Sequence, residues 1–180
     1  MSKLTDFYLQ DEPDVEGRTL EDMLGLSNQA FELEHTVIQW VFPLKDPSNF
    51  NPDAPIITDE DVAKWNEESM EGTLLRNNLL LSFVRFMRFL GLEYKGTEVK
   101  IADDFPERQK TVWDGFNHNY LRVTRCLASM RLLGLQPEAD AFYKRLQALY
   151  ESKRFPINEK TFNFWTEAVT GQPFSRTLGG

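Results

Sequence analysis

Asn117-His118-Asn119-Tyr120-Leu121-Arg122-Val123-Thr124-Arg125-Cys126-Leu127-Ala128-Ser129-Met130-Arg131-Leu132-Leu133, closed by Gly134, is the stretch on which the fold of this chain turns. At about 100° per residue, His118, Arg122, Arg125 and Ser129 fall on one line of a helix. Most other directions are apolar: Tyr120, Val123, Leu127 and Met130 on one side, Leu121, Ala128 and Leu132 on another. A helix apolar nearly all round is a buried helix, so residues 117–133 are predicted to form the centre of an all-α domain. The polar line then needs partners, because unpaired charge inside a protein is costly.

Downstream, Gly134-Leu135-Gln136-Pro137 is a tight link, and Pro137 suits the first turn of a new helix. That helix is predicted to reach about Lys153, with Ala139, Phe142, Leu146, Leu149 and Tyr150 at helical spacing. After Pro156, Asn158 caps a last helix that turns Phe162, Trp165 and Val169 inward, and residues 171–180 read as a frayed tail. Upstream, Glu68 to Leu90 reads as a long helix ended by Gly91. Leu79, Leu80, Phe83, Phe86, Met87 and Leu90 form its apolar face; Asn77, Asn78, Arg85 and Arg88 form its polar one. Gly72 marks a bend or a close helix contact.

Thr58, followed by Asp59, Glu60 and Asp61, starts a shorter helix to about Asn66. Phe31 to Phe42 reads as one helix stopped by Pro43, on which His35 and Gln39 share a face. Thr19 and Asp22 form a variant capping box before Gly25. Residues 1–18 are polar and are predicted to lie over the surface, and the proline-rich 43–57 is an ordered loop. Residues 92–116 are poorly periodic, with a helical turn around Pro106 to Val112 and a strand-like Val99-Lys100-Ile101 that lacks an evident partner. The expectation is one irregular multi-helix bundle of about seven helices over residues 1–180, with its core in about 5–170.

At 180 residues, with 41% hydrophobic and 13% aromatic side chains, the chain has material for one sizeable core. A net charge of -8 argues against non-specific nucleic-acid binding and against adhesion to anionic lipid. Cys126 is the single cysteine, so no internal disulfide forms, and its position beside the apolar side predicts a packed, inert thiol. Met1 to Asp6 lacks a signal-peptide apolar run, and Leu79 to Val84 is too short to span a bilayer. A soluble, cytoplasmic protein without a transmembrane segment is expected.

Two constellations carry chemistry. Arg122 and Arg125 offer rigid five-donor forks suited to carboxylate or phosphate, beside the amides of Asn117 and Asn119. His118 meets the positive end of the helix dipole, which lowers its pKa. The other histidine, His35, comes with Gln39 and Trp40. One reading is a cleft for a short peptide or small anionic ligand, lined by His35, Gln39, Trp40, Asn117, His118, Asn119, Arg122 and Arg125. Another is a buried network in which the arginines clamp carboxylates of neighbouring helices, leaving a scaffold that acts through its outer surface. A third is an enzyme with His118 or His35 as general base. Two histidines meeting a carboxylate would be a weak metal pattern, since no HExxH spacing is present. Ser82, Ser129 and Cys126 lie in no Gly-flanked elbow, and there is no phosphate loop and no GxGxxG. No catalytic residue, metal or cofactor is therefore predicted.

His35-x-x-Ile38-Gln39-Trp40-x-Phe42-Pro43-Leu44 and Asn117-His118-Asn119-x-Leu121-Arg122-x-Thr124-Arg125 resemble the two hallmark strings of the opioid growth factor receptor family, in the same order. Phe7-Tyr8, Gly17 to Leu24, Leu90-Gly91-Leu92 and Leu133-Gly134-Leu135 are similar too, so the resemblance covers roughly residues 5–170. It implies the N-terminal conserved domain of that family, here as a short stand-alone homologue, with an all-helical fold. In vertebrate members the family is linked to binding of an enkephalin-type opioid pentapeptide, growth-inhibitory signalling and nuclear association. Both hallmarks contain the residues that the cleft reading singles out.

Overall fold

The computed structural model describes residues 2–48, 51–115 and 118–173. Ten helices and one two-stranded antiparallel sheet occur among them, so the fold is predominantly helical, as expected.

The N-terminal residues depart from the surface position expected of them. Lys3–Tyr8 is a helix, α1, and Leu4, Phe7 and Tyr8 are buried in the core. The polar residues among and after them obscured three inward-facing apolar positions, 4, 7 and 8, in the sequence. Tyr8 is locked at both ends: its hydroxyl donates to the Val41 carbonyl, and its own carbonyl accepts from Asn78 Nδ2 at 2.6 Å. Leu20–Leu24 (α2) begins with the anticipated capping box of Thr19 and Asp22.

Phe31 to Phe42 is two helices rather than one: α3, Asn28–Leu33, and α4, Val37–Val41. The chain breaks at Glu34, whose ψ of 82° leaves the helical region. Arg18 holds the break, reaching Thr36 Oγ1 at 3.0 Å and Glu34 at 3.4 Å. The β-branched Thr36-Val37-Ile38 run adds no helical drive there. His35 thus sits on a turn between helices, where helical i, i+4 spacing with Gln39 does not apply.

Asp59–Asn66 (α5) is capped by Thr58 as expected, and Asp61 completes a capping box; among the described residues Met70–Phe89 (α6) is the longest helix, at 20 residues. A Cβ on Gly72 would fall on the carbonyl oxygens of Glu67 and Lys64, so the glycine permits the tight turn between α5 and α6. Leu79, Phe83, Phe86 and Phe89 of α6 are fully buried, and Phe86 meets Phe31, Phe42 and Phe142 in the middle of the core.

The strand-like fragment does have a partner. Leu92–Tyr94 (β1) pairs with Val99–Ile101 (β2), with Leu92 opposite Ile101. Gly96, at φ 84°, makes the connection, a hairpin signal that the short strands obscured. Phe105–Val112 (α7) then leads to Asn119–Leu132 (α8), Gln136–Glu151 (α9) and Glu159–Thr170 (α10). The predicted tail residues 174–180 lie outside the described residues.

α8 packs against α9 and α10, and Trp165 Nε1 donates to the Tyr120 carbonyl at 3.1 Å. Tyr120, Val123, Leu127 and Met130 are buried as expected. The helix is not covered all round, however: Leu121 is 61% exposed. That uncovered side of α8 borders the candidate site. No helix of the described residues is long and apolar enough to cross a membrane.

Candidate functional site

Glu32, at the end of α3, organises one half of the site. His118 Nε2 contacts its carboxylate at 2.8 Å, and Asn119 Nδ2 donates to it at 3.1 Å. Arg122 lies 3.8 Å from the same carboxylate, donates to the Glu32 carbonyl at 3.1 Å and to Asn119 Oδ1 at 3.2 Å. The Arg122 side chain is 5% exposed, and its guanidinium also lies over the rings of Phe31 and Phe89. Burial lowers the Arg122 pKa and Glu32 counters that shift. This is the carboxylate clamp that a buried cation requires. Glu32 was not singled out from sequence; the need for a carboxylate facing the seam was the available signal.

Burial, and then the nearby Arg122 charge, hold His118 below the ordinary histidine range, against the pull of Glu32. At neutral pH the imidazole is therefore uncharged, and the carboxylate fixes its proton on Nε2. The His35 ring stands edge-on to it, with centroids 5.2 Å apart and planes at 77°.

Arg125, one turn on, is treated differently. Its Nη2 donates to the Gln39 carbonyl at 3.4 Å, a long bond, and its buried Nε has no hydrogen-bond acceptor among the described residues. None of the ion pairs among the described residues involves it. Burial alone pushes its pKa down to about 10, so it remains charged at neutral pH. Gln39 is fixed from the other side by Asn51 Nδ2, 3.0 Å from its Oε1.

These groups border an open cleft of about 630 Å³ between α4 and α8. His35, Gln39, His118, Arg122 and Arg125 line it, with apolar walls from Ile38, Leu44, Leu121 and Ala128. Two of the predicted residues point elsewhere. Trp40 is 4% exposed and packs in the core, its ring 5.0 Å from Phe7. It is not a wall of the cleft, because its place on α4 turns it into the core. Asn119 is fully buried and acts behind the surface, joining Glu32 to Arg122. Asn117 lies outside the described residues. Ser129, on the same line of α8, is buried with its hydroxyl unpaired among the described residues. Cys126 is fully buried, and desolvation raises its thiol pKa well above the ordinary value, as befits a packed thiol. Among the described residues no group of three or more His, Cys, Asp or Glu is placed to hold a metal ion.

The model of the opioid growth factor receptor conserved region matches residues 6–178. The chain belongs to the opioid growth factor receptor family. It is similar to the opioid growth factor receptor of Rattus norvegicus, 32% identical over 125 residues, covering 67% of this chain and 21% of the relative. The Homo sapiens receptor is 32% identical over 126 residues, covering 67% and 18%. Opioid growth factor receptor-like protein 1 of Mus musculus is 27% identical over 154 residues, covering 83% and 32%. The chain thus spans between about a fifth and a third of the length of these relatives. No solved structure matches it. In this opioid growth factor receptor domain, the stretches around His35 and His118 that carried the resemblance are the two that face each other across the cleft.

Proposed function

We propose that this domain is a peptide-recognition module whose ligand seats a carboxylate on Arg125 and an apolar side chain between Ile38, Leu44, Leu121 and Ala128. The observation that carries the reading is Arg125 itself. A cation partly buried beside a mainly apolar cleft, with a free Nε donor and no carboxylate partner among the described residues, is an unfinished ion pair. Arg122 is already satisfied and serves as structure. The relatives' printed name, opioid growth factor receptor, describes proteins that receive a growth factor, and it supports a peptide rather than an inorganic anion as ligand.

The test is calorimetric titration with an enkephalin-type pentapeptide, as the free acid and as the C-terminal amide. The acid is expected to bind more tightly by about tenfold or more, the scale of one charge-assisted hydrogen bond. Arg125→Gln should erase that difference. Equal affinities for acid and amide, or no binding of either, would contradict the proposal.

A second reading rests on the Glu32–His118 contact, a carboxylate that orients a neutral imidazole in the manner of a general base. Peptide turnover followed by mass spectrometry, and lost in His118→Ala, would favour it.

A further inference from the structure

A second cavity, of about 420 Å³, adjoins the cleft on the far side of Leu121. The two share His118, Leu121 and Thr124 as a common wall. Tyr120 and Phe164 supply its apolar surface, and Asn158, Lys160 and Thr161 its polar edge. Leu121 is 61% exposed and Phe164 45% exposed. Single exposed apolar side chains are ordinary, but two large ones on neighbouring helices facing one concavity mark a contact surface.

The charge of this surface is opposite to that of the chain. The protein carries 28 acidic against 20 basic side chains, yet none of the described residues lining either cavity is acidic. Arg125 stands in one compartment and Lys160 in the other. The nearby Glu32 is occupied by His118, Asn119 and Arg122. An anionic occupant is therefore favoured by charge complementarity.

We infer that the two cavities form one groove across α8, and that its occupant is an extended peptide straddling Leu121. One apolar side chain enters the Ile38–Leu44 compartment with the carboxylate on Arg125, and a second packs against Phe164 and Tyr120. The inference rests on the cleft reading above and adds the second compartment, which makes peptide length a determinant of affinity. Side chains two apart on an extended strand stand on the same face, roughly 7 Å apart, so a short peptide can supply both anchors.

The experiment uses the full chain with two synthetic peptides bearing free C-terminal carboxylates, Gly-Phe-Gly-Leu and Gly-Gly-Gly-Leu, titrated against the unsubstituted protein, Phe164→Ala and Arg125→Gln. Phe164 is surface-exposed, so its truncation is expected to leave the core intact, with circular dichroism as the check. Gly-Phe-Gly-Leu is expected to bind about fivefold or more tightly than Gly-Gly-Gly-Leu, the scale of a partly buried aromatic ring. Phe164→Ala should abolish that preference without weakening Gly-Gly-Gly-Leu. An unchanged preference in Phe164→Ala, with binding still lost in Arg125→Gln, would overturn the groove and leave the cleft standing. Failure of both peptides to bind would overturn both. Self-association relieved by Phe164→Ala, in place of peptide binding, would show that the occupant is a second copy and overturn the inference.

Discussion

The imidazoles of His35 and His118 meet edge to face, 5.2 Å apart between ring centres. One comes from the turn between α3 and α4, the other from the residue that opens α8. The two hallmark segments of the family are therefore fastened together where the cleft begins, and Glu32 ties the second of them to the α3 end.

That fastening is pH-dependent. Burial and Arg122 hold His118 below its ordinary value, with His35 adding to the shift and Glu32 opposing it. A histidine with a lowered folded pKa binds its proton more readily when unfolded. Its contribution to stability is thus complete above the unfolded value of about 6.5 and is lost as pH falls below it. Urea midpoints measured from pH 7.5 down to pH 5.5 should fall with acidification, and His118→Gln should flatten the decline. Parallel curves for the two proteins would refute the assignment.

Glu32 is expected to be the most sensitive polar position of the site. Glu32→Ala leaves the buried Arg122 without its carboxylate and removes the Glu32 contacts of His118 and Asn119. A loss of about 3 kcal/mol in denaturant unfolding is expected, the low end for breaking a buried pair because Glu32 retains some exposure. Glu32→Gln, which still accepts hydrogen bonds, should lose less.

Asp61 performs the same kind of work between α1 and α5. Burial opposes its charge, but hydrogen bonds from Ser2, Thr58 and Thr5 outweigh burial and hold its pKa below the ordinary carboxylate value. A lowered carboxylate pKa stabilises the fold above the unfolded value of about 3.9 and ceases to do so as pH falls through the folded value. Asp61→Ala should cost about 2 kcal/mol at pH 7, and less at pH 3. Amide exchange in Lys3–Tyr8 should accelerate in the variant, because α1 is held in part by these bonds.

Long, strongly periodic stretches were legible without coordinates. α6 and α9, the caps at Thr19, Thr58 and Asn158, and the buried side of α8 follow from side-chain spacing and cap chemistry. What escaped depended on tertiary partners. The break at Glu34 is held by Arg18 from a distant turn, and no local periodicity announces it. α1 was hidden because its three buried apolar residues sit among polar neighbours. The spacing of the cationic seam calls for a carboxylate, but only the fold shows that Glu32 serves Arg122 and that, among the described residues, Arg125 has none. Trp40 was assigned to the cleft by its closeness in sequence to Gln39, and the path of α4 turns it towards Phe7.

Stability offers an independent check on Arg125. Because it has no carboxylate partner among the described residues, Arg125→Met should leave the denaturant midpoint unchanged or raise it slightly, while removing ligand binding. A loss of stability on the scale expected for Glu32→Ala would mean that Arg125 is structural.

The most direct measurement is the Arg125 Nε–H resonance in a ¹⁵N correlation spectrum during titration with an enkephalin-type pentapeptide. The free acid is expected to shift that resonance strongly and saturably, and the C-terminal amide to leave it in place. An Arg125 Nε–H signal that both peptides leave unmoved, while other resonances of the domain respond, would contradict the account.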